Sequence, residues 1–285
     1  MKADTHVRRA SFSVAIIFAL VIALPAVAFA APITLRSGAG VDAASIQSVV
    51  DLFRADLGGV NNGNTPGSLS SGRREINWDG GGAAANATIF PSPMTTFNSG
   101  ATTRGAVFTT PGTGFEISGQ PNPEFGDINP QYPNNFATFS SPRLFSPLGS
   151  NITDVFFFEP GTNNPATVTG FGAVFTDVDF IDGVNHTSVE FFNAANVSLG
   201  IFLVPAFNNG LSFLGATFAD PIFRVRLTTG NRALGPNDNG DFDVVAMDDF
   251  IYSEPQSIVP EPGSLLLLGS GVAALAMYRR RRSRA

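Results

Sequence analysis

Apolar residues recur along this chain in three rhythms. Between Asp42 and Gly59 the positions Ile46, Val49, Val50, Phe53 and Leu57 fall on one face of a 3.6-residue period. Asp42 stands ahead of them as an N-cap and Gly58-Gly59 behind them as a stop, so the pattern predicts one amphipathic helix from Ala43 to Leu57. From Thr88 onward, short runs rich in Phe, Val, Ile and Thr alternate with Gly, Pro and Asn clusters at the spacing of a β-sandwich. These runs predict strands at 105–109, 115–118, 152–158, 167–175, 188–193, 198–204, 211–217, 222–228 and 244–252. The clearest alternation sets Phe223, Val225 and Leu227 against Arg224, Arg226 and Thr228, whose arginines must meet solvent or a carboxylate. Phe156-Phe157-Phe158 and Phe191-Phe192 have no polar handle and suit strands buried on both faces. The stretches 61–72 and 79–87, rich in Asn, Gly, Ser and Pro, read as loops with freedom to move.

The third rhythm is continuous apolarity at the two ends. Lys2, Arg8 and Arg9 precede an apolar run from Phe12 to Phe29, and Ala28-Phe29-Ala30 offers small residues to a signal peptidase. The mature chain is expected to start at Ala31; an uncleaved N-terminal anchor is the competing reading, and Pro25 speaks against it. At the other end Pro260, Glu261 and Pro262 precede an apolar run and then Arg279, Arg280, Arg281, Arg282 and Arg284. The apolar segment 263–278 would be about 24 Å long as a helix, a marginal span of a core of about 30 Å. Its arginines would stay cytoplasmic, leaving everything before Pro260 on the outer side.

Three parts in this order over Val259 to Ala285 closely resemble the bacterial PEP-CTERM sorting signal. The resemblance implies export, transient anchoring in the membrane and processing by an exosortase-type enzyme, with Pro260, Glu261, Pro262 and Arg279 to Arg282 as the sorting residues. An ordinary C-terminal membrane anchor is the alternative. The stretches 72–80 (GRREINWDG), 170–179 (GFGAVFTDVD) and 245–250 (VAMDDF) also resemble counterparts in PEP-CTERM proteins of unknown function, which implies a kind of protein without naming its chemistry.

The expected organisation is a signal peptide (1–30), an N-terminal helix and loop segment packed on the main domain (31–87), a β-sandwich (88–258) and the sorting signal (259–285). The fold class is all-β: a jelly-roll-like β-sandwich with one N-terminal amphipathic helix and a C-terminal hydrophobic sorting helix.

Setting both ends aside changes the charge. Three of 17 basic residues lie in the leader and five in the tail, leaving nine arginines and no lysine; 21 of 23 acidic residues remain, so the body is about 12 charges negative. Such a surface repels phosphates and argues against a nucleic-acid partner. Cysteine is absent, so disulfides and thiolate metal sites are excluded. His186 is the only histidine after the leader, which makes a nucleophile–histidine hydrolase unlike this chain and deprives zinc of its usual ligands.

Oxygen chemistry is what is left. Asp238, Asn239, Asp241 and Asp243 cluster beside glycine, and Asp248-Asp249 follows on the last strand, so Asp238, Asn239, Asp241, Asp243 and Asp249 are candidate calcium ligands, although the spacing is not that of an EF-hand. A solvated acidic turn is the plainer reading. Asp177 and Asp179, two apart on an expected strand, would share one face and a cation, or meet Arg224 or Arg226. Trp78, the single tryptophan, is a ligand candidate as a sugar-stacking platform or else closes one end of the core. The expected function is that of an exported structural or adhesive protein of the cell surface or extracellular matrix, associated with biofilm exopolysaccharide, and not an enzyme. A calcium-dependent carbohydrate-binding module is second, and a glycoside hydrolase using paired carboxylates third.

Overall fold

A computed structural model describes residues 34–181, 183–236 and 242–258. The leader with Ala28 and Ala30, the sorting helix, and Pro260, Glu261, Pro262 and Arg279 to Arg282 lie outside the described residues, as do Asp238, Asn239 and Asp241. Among the described residues no helix is long and apolar enough to cross a membrane.

Helix α1 (Ala43–Asp56) forms where its periodicity places it. The extended Asp42 accepts the Ser45 N–H at 2.9 Å, and the chain leaves through Leu57 and Gly58, whose φ of 91° suits glycine. Ile46, Val50 and Phe53 are buried against Val174, Leu211, Phe213 and Ile251.

The remaining chain builds strands β1 (Thr34–Gly40), β2 (Arg73–Ile76), β3 (Thr88–Phe90), β4 (Ala106–Thr109), β5 (Gly114–Ile117), β6 (Phe145–Leu148), β7 (Ile152–Phe157), β8 (Ala166–Val178), β9 (Ser188–Phe192), β10 (Ser198–Leu203), β11 (Phe207–Ile222), β12 (Arg224–Thr228) and β13 (Ala246–Ser253), with shorter two-residue pairings between them. The larger sheet runs β1-β11-β8-β13-β6-β5-β3, with β2 also pairing β13; the smaller runs β10-β9-β12-β7-β4. Their pairings are antiparallel. Between the sheets, Phe108, Val155, Phe157, Val189, Phe191, Val225 and Leu227 of the smaller meet Phe115, Phe145, Phe171, Phe175, Phe250 and Tyr252 of the larger in one core. The expected all-β sandwich with one N-terminal helix is the observed fold.

Both faces of the central strands are covered, because α1 lies on the outer face of the larger sheet. Glycines make room for it: a Cβ on Gly215 would sit 2.8 Å from the Phe53 ring, and one on Gly172 also 2.8 Å. Further along that face, Phe125, Tyr132, Phe136 and Leu144 cover Ala246 and Val244 in a third cluster.

Three expectations change. The segment 31–87 does more than pack on the sandwich, since β1 pairs β11 and β2 pairs β13 within the larger sheet. The stretch 61–72 is held in place by the fully buried Arg74, whose guanidinium donates to the carbonyls of Gly63, Thr65, Gly67 and Thr103. Finally, Phe156 is only partly buried and packs edge-on against Phe223 on the outer face of the smaller sheet. On that face Arg224 and Arg226 both bind Asp154, at 2.7 and 2.8 Å.

Candidate functional site

The sequence Arg73-Arg74-Glu75-Ile76-Asn77-Trp78-Asp79 forms a junction between the two halves of the chain. Arg74, Ile76 and Trp78 point inward and are buried. Arg74 meets Glu254 through both oxygens, at 2.6 and 2.8 Å, with side chains 0% and 2% exposed. A buried ion pair is tolerable when its remaining donors are satisfied, and here main-chain carbonyls complete the set. On the opposite face Glu75 accepts from Arg73 at 2.6 Å and from Arg54 of α1 at 2.9 Å. Asp79 accepts the main-chain N–H of Arg143 at 3.0 Å and the Asn77 amide at 3.0 Å.

Asp248 and Asp249 are neighbours on β13, where regular pleating would send them to opposite faces. A β-bulge changes that: Met247 pairs with Phe175 and Phe250 with Ala173, so both aspartates oppose Val174. Both carboxylates then reach the Ser140 hydroxyl, which donates to Asp249 at 2.6 Å and lies 3.2 Å from Asp248. Phe139 N–H donates to Asp248 at 2.6 Å, and Arg54 lies 3.5 Å from Asp249. Burial first, then the charge of Asp249, raises the Asp248 carboxyl well above its usual range. Burial also raises Asp249, opposed by the Ser140 hydrogen bond. Asp249, a candidate calcium ligand from sequence, thus has Arg54 and Ser140 as partners.

Asp243 is fully buried and accepts from the Asp179 N–H at 3.1 Å and the Thr187 hydroxyl at 3.3 Å. The structure therefore gives Asp243 and Asp249 separate surroundings, and the other three candidate ligands lie outside the described residues. Among the described residues no group of three or more His, Cys, Asp or Glu side chains is placed to hold a metal. Asp177 adopts φ 66° at a register shift of β8 and accepts the Asn209 N–H at 2.7 Å, so the simple alternation expected of Asp177 and Asp179 is broken by a bulge. The two still meet at one place, a polar cavity of about 360 Å³ lined also by Gln131, Asn135, Asn208 and Asn209.

Trp78 is 2% exposed. Its ring stacks on Phe145 at 3.9 Å between centroids, its edges meet Phe97 and Phe250, and its indole N–H donates to the Asp248 carbonyl at 2.9 Å. An open sugar platform on the surface is therefore replaced by a core residue. Trp78 nonetheless lines a cavity of about 500 Å³ with Phe90, Phe97, Ile117, Asp79 and Arg104 among its walls. Sequence reasoning missed this cavity. Its walls come from residues 77–80, 88–90, 96–104, 117 and 143, and only the Trp78-Asp79 step had attracted notice.

The fold and its buried chemistry define an acidic β-sandwich whose charged motifs tie strands together. Residues 259–282 match the family model of the PEP-CTERM protein-sorting motif. The chain carries that sorting signal and is an exported protein handled by an exosortase, bound for the cell envelope or surface. No curated protein matches the chain.

Proposed function

We propose that the protein is a structural or adhesive component of the cell surface or extracellular matrix, associated with exopolysaccharide, and not an enzyme. The observation that carries this reading is the sorting signal at 259–282 on a two-sheet sandwich. The charged side chains of its conspicuous motifs support it. Arg74, Glu254, Asp248 and Asp249 are buried and bonded to their own chain, so they serve the fold and are closed to a substrate. The test is matrix cohesion in cells lacking the chain. Restored cohesion with the full chain, and failure with one lacking 259–285, is the expected result; unchanged cohesion in the deletion contradicts the reading.

A second reading, calcium-dependent carbohydrate binding, is favoured by the cavity at Asp177 and Asp179. Its two carboxylates and four amide side chains supply the oxygen ligands calcium takes. Binding to the native state alone raises stability by linkage, so calcium should raise the unfolding temperature of the full chain by several degrees, and Asp179→Ala should abolish the rise. No shift between calcium and excess chelator removes this reading.

A further inference from the structure

We propose that the cavity beside Trp78 binds a carboxylate-bearing sugar ring, that is, a hexuronate residue of an acidic glycan. In a body with more than two carboxylates per cation, Arg36, Arg54, Arg73, Arg74, Arg224 and Arg226 all sit in ion pairs. Among the described residues Arg104, Arg143 and Arg232 do not, and two of these three, Arg104 and Arg143, line this one cavity. The acid that lines it, Asp79, already accepts from Arg143 N–H and the Asn77 amide. The walls therefore carry two guanidinium charges against one carboxylate, a local positive field within an acidic protein.

The two arginines differ. Arg143 is 5% exposed and donates to the carbonyls of Ser118, Gly80, Asn86 and Ile117, which fixes it as part of the wall. Arg104 is half-buried and uses only Nε, to Asn64 at 2.8 Å, and Nη1, to the Glu75 carbonyl at 2.7 Å. Its Nη2 makes no hydrogen bond among the described residues, leaving a planar donor for a carboxylate. Burial pulls its pKa down, with the charge of Arg74 adding to the effect and those of Tyr252 and Glu75 opposing it.

The rest of the wall selects a ring. Phe90, Phe97 and Ile117 give an apolar surface for the C–H face of a sugar. Thr88 and Thr102 already donate their hydroxyl protons to the carbonyls of Asn86 and Thr96, so their oxygens are left as acceptors, that of Thr88 already receiving Arg143 Nη2 at 3.4 Å. A volume of about 500 Å³ lies within the range of small-ligand sites. A neutral sugar leaves the Arg104 Nη2 without an ion-pair partner, and a bare inorganic anion leaves the apolar wall uncovered.

The proposal rests on the surface reading only for where the glycan is met. Trp78 is the single tryptophan of the chain, so its emission reports on the cavity directly. The full chain would be titrated with trigalacturonate, maltotriose and inorganic phosphate. A saturable change with trigalacturonate is expected, at least tenfold weaker with maltotriose and phosphate. Arg104→Gln should weaken binding at least tenfold while the protein still unfolds cooperatively, and Arg104→Lys should recover part of it. Thr96→Phe, which fills the cavity and leaves Arg104 in the chain, should also abolish it. Equal response to maltotriose, equal response to phosphate, undiminished binding by Arg104→Gln, or no saturable change would each overturn the proposal. Loss of uronate binding with surface retention intact overturns this inference alone, whereas binding by a chain the surface does not retain overturns the surface reading alone.

Discussion

Glu116 gives the sharpest test of how this sandwich stores charge. It lies on β5 between Ile89 of β3 and Ser146 of β6, while its neighbours Phe115 and Ile117 point into the core. Only 2% of it is exposed, and its Oε1 has no hydrogen-bond partner among the described residues. Burial, with the charge of Asp127 added, raises its carboxyl from 4.5 to about 7. The folded protein thus holds this proton more tightly than the unfolded chain does. The stabilisation is fully present below pH 4.5 and is lost as pH rises through 7. A shift of that size corresponds to at most about 3 kcal/mol between pH 4.5 and pH 8, or about 6 to 12 °C in unfolding temperature for a domain of this size. Glu116→Gln removes the titration. The variant should gain on the wild-type protein by up to about 3 kcal/mol between low pH and pH 8, with only about 1 kcal/mol of that gain reached by pH 5. Denaturant unfolding of both full chains at the two pH values measures this directly. Because Asp248 and Asp249 contribute the same sign, the difference between the two proteins is the quantity to read. A variant with the same pH slope as wild type would refute the account of Glu116.

The other predictions follow the same contacts. Asp248→Asn and Asp249→Asn should each compare better with the wild-type protein at pH 8 than at pH 5, because burial raises both carboxyls and the amide removes a charge the fold disfavours; chemical denaturation checks the sign. Arg74→Met should lose about 3 to 5 kcal/mol by leaving Glu254 buried without its cation, read as a lowered denaturant midpoint, and should expose 61–72 to limited proteolysis. Gly215→Ala should cost about 1 to 3 kcal/mol by driving a methyl into the Phe53 ring, and combining it with Phe53→Leu should give less than the sum of the two single losses. Asp42→Ala should cost about 1 kcal/mol, seen as a lowered unfolding temperature with strand content unchanged.

Local signals carried much of this fold. The helix was legible because its cap, apolar face and glycine stop are all contained in 18 residues. The Phe- and Val-rich runs at 106–109, 152–157, 188–192 and 224–228 were legible because packing both in the core and against neighbours selects such residues. Thr34–Gly40 was not: its small and polar residues become a strand only through pairing with β11, nearly 180 residues away. Arg73–Ile76 reads as a charged loop until Glu254 is brought to Arg74. Phe145–Leu148 is short and broken by Pro147. For the site, the paired aspartates stood out, but their bulge and Ser140 are tertiary facts. The cavity beside Trp78 is assembled from five separated segments, and no spacing in the sequence announces it.

This sandwich is exported to the cell envelope or surface through its C-terminal signal. The most direct test is fractionation of cells expressing the full chain and a variant with Arg279 to Arg282 replaced by alanine, combined with the mass of the chain recovered from each fraction. The account predicts wild-type protein in the envelope or matrix fraction, with its C-terminus processed near 259–262 and its N-terminus at Ala31, and variant protein unprocessed. Equal processing and equal placement of the two chains would contradict it.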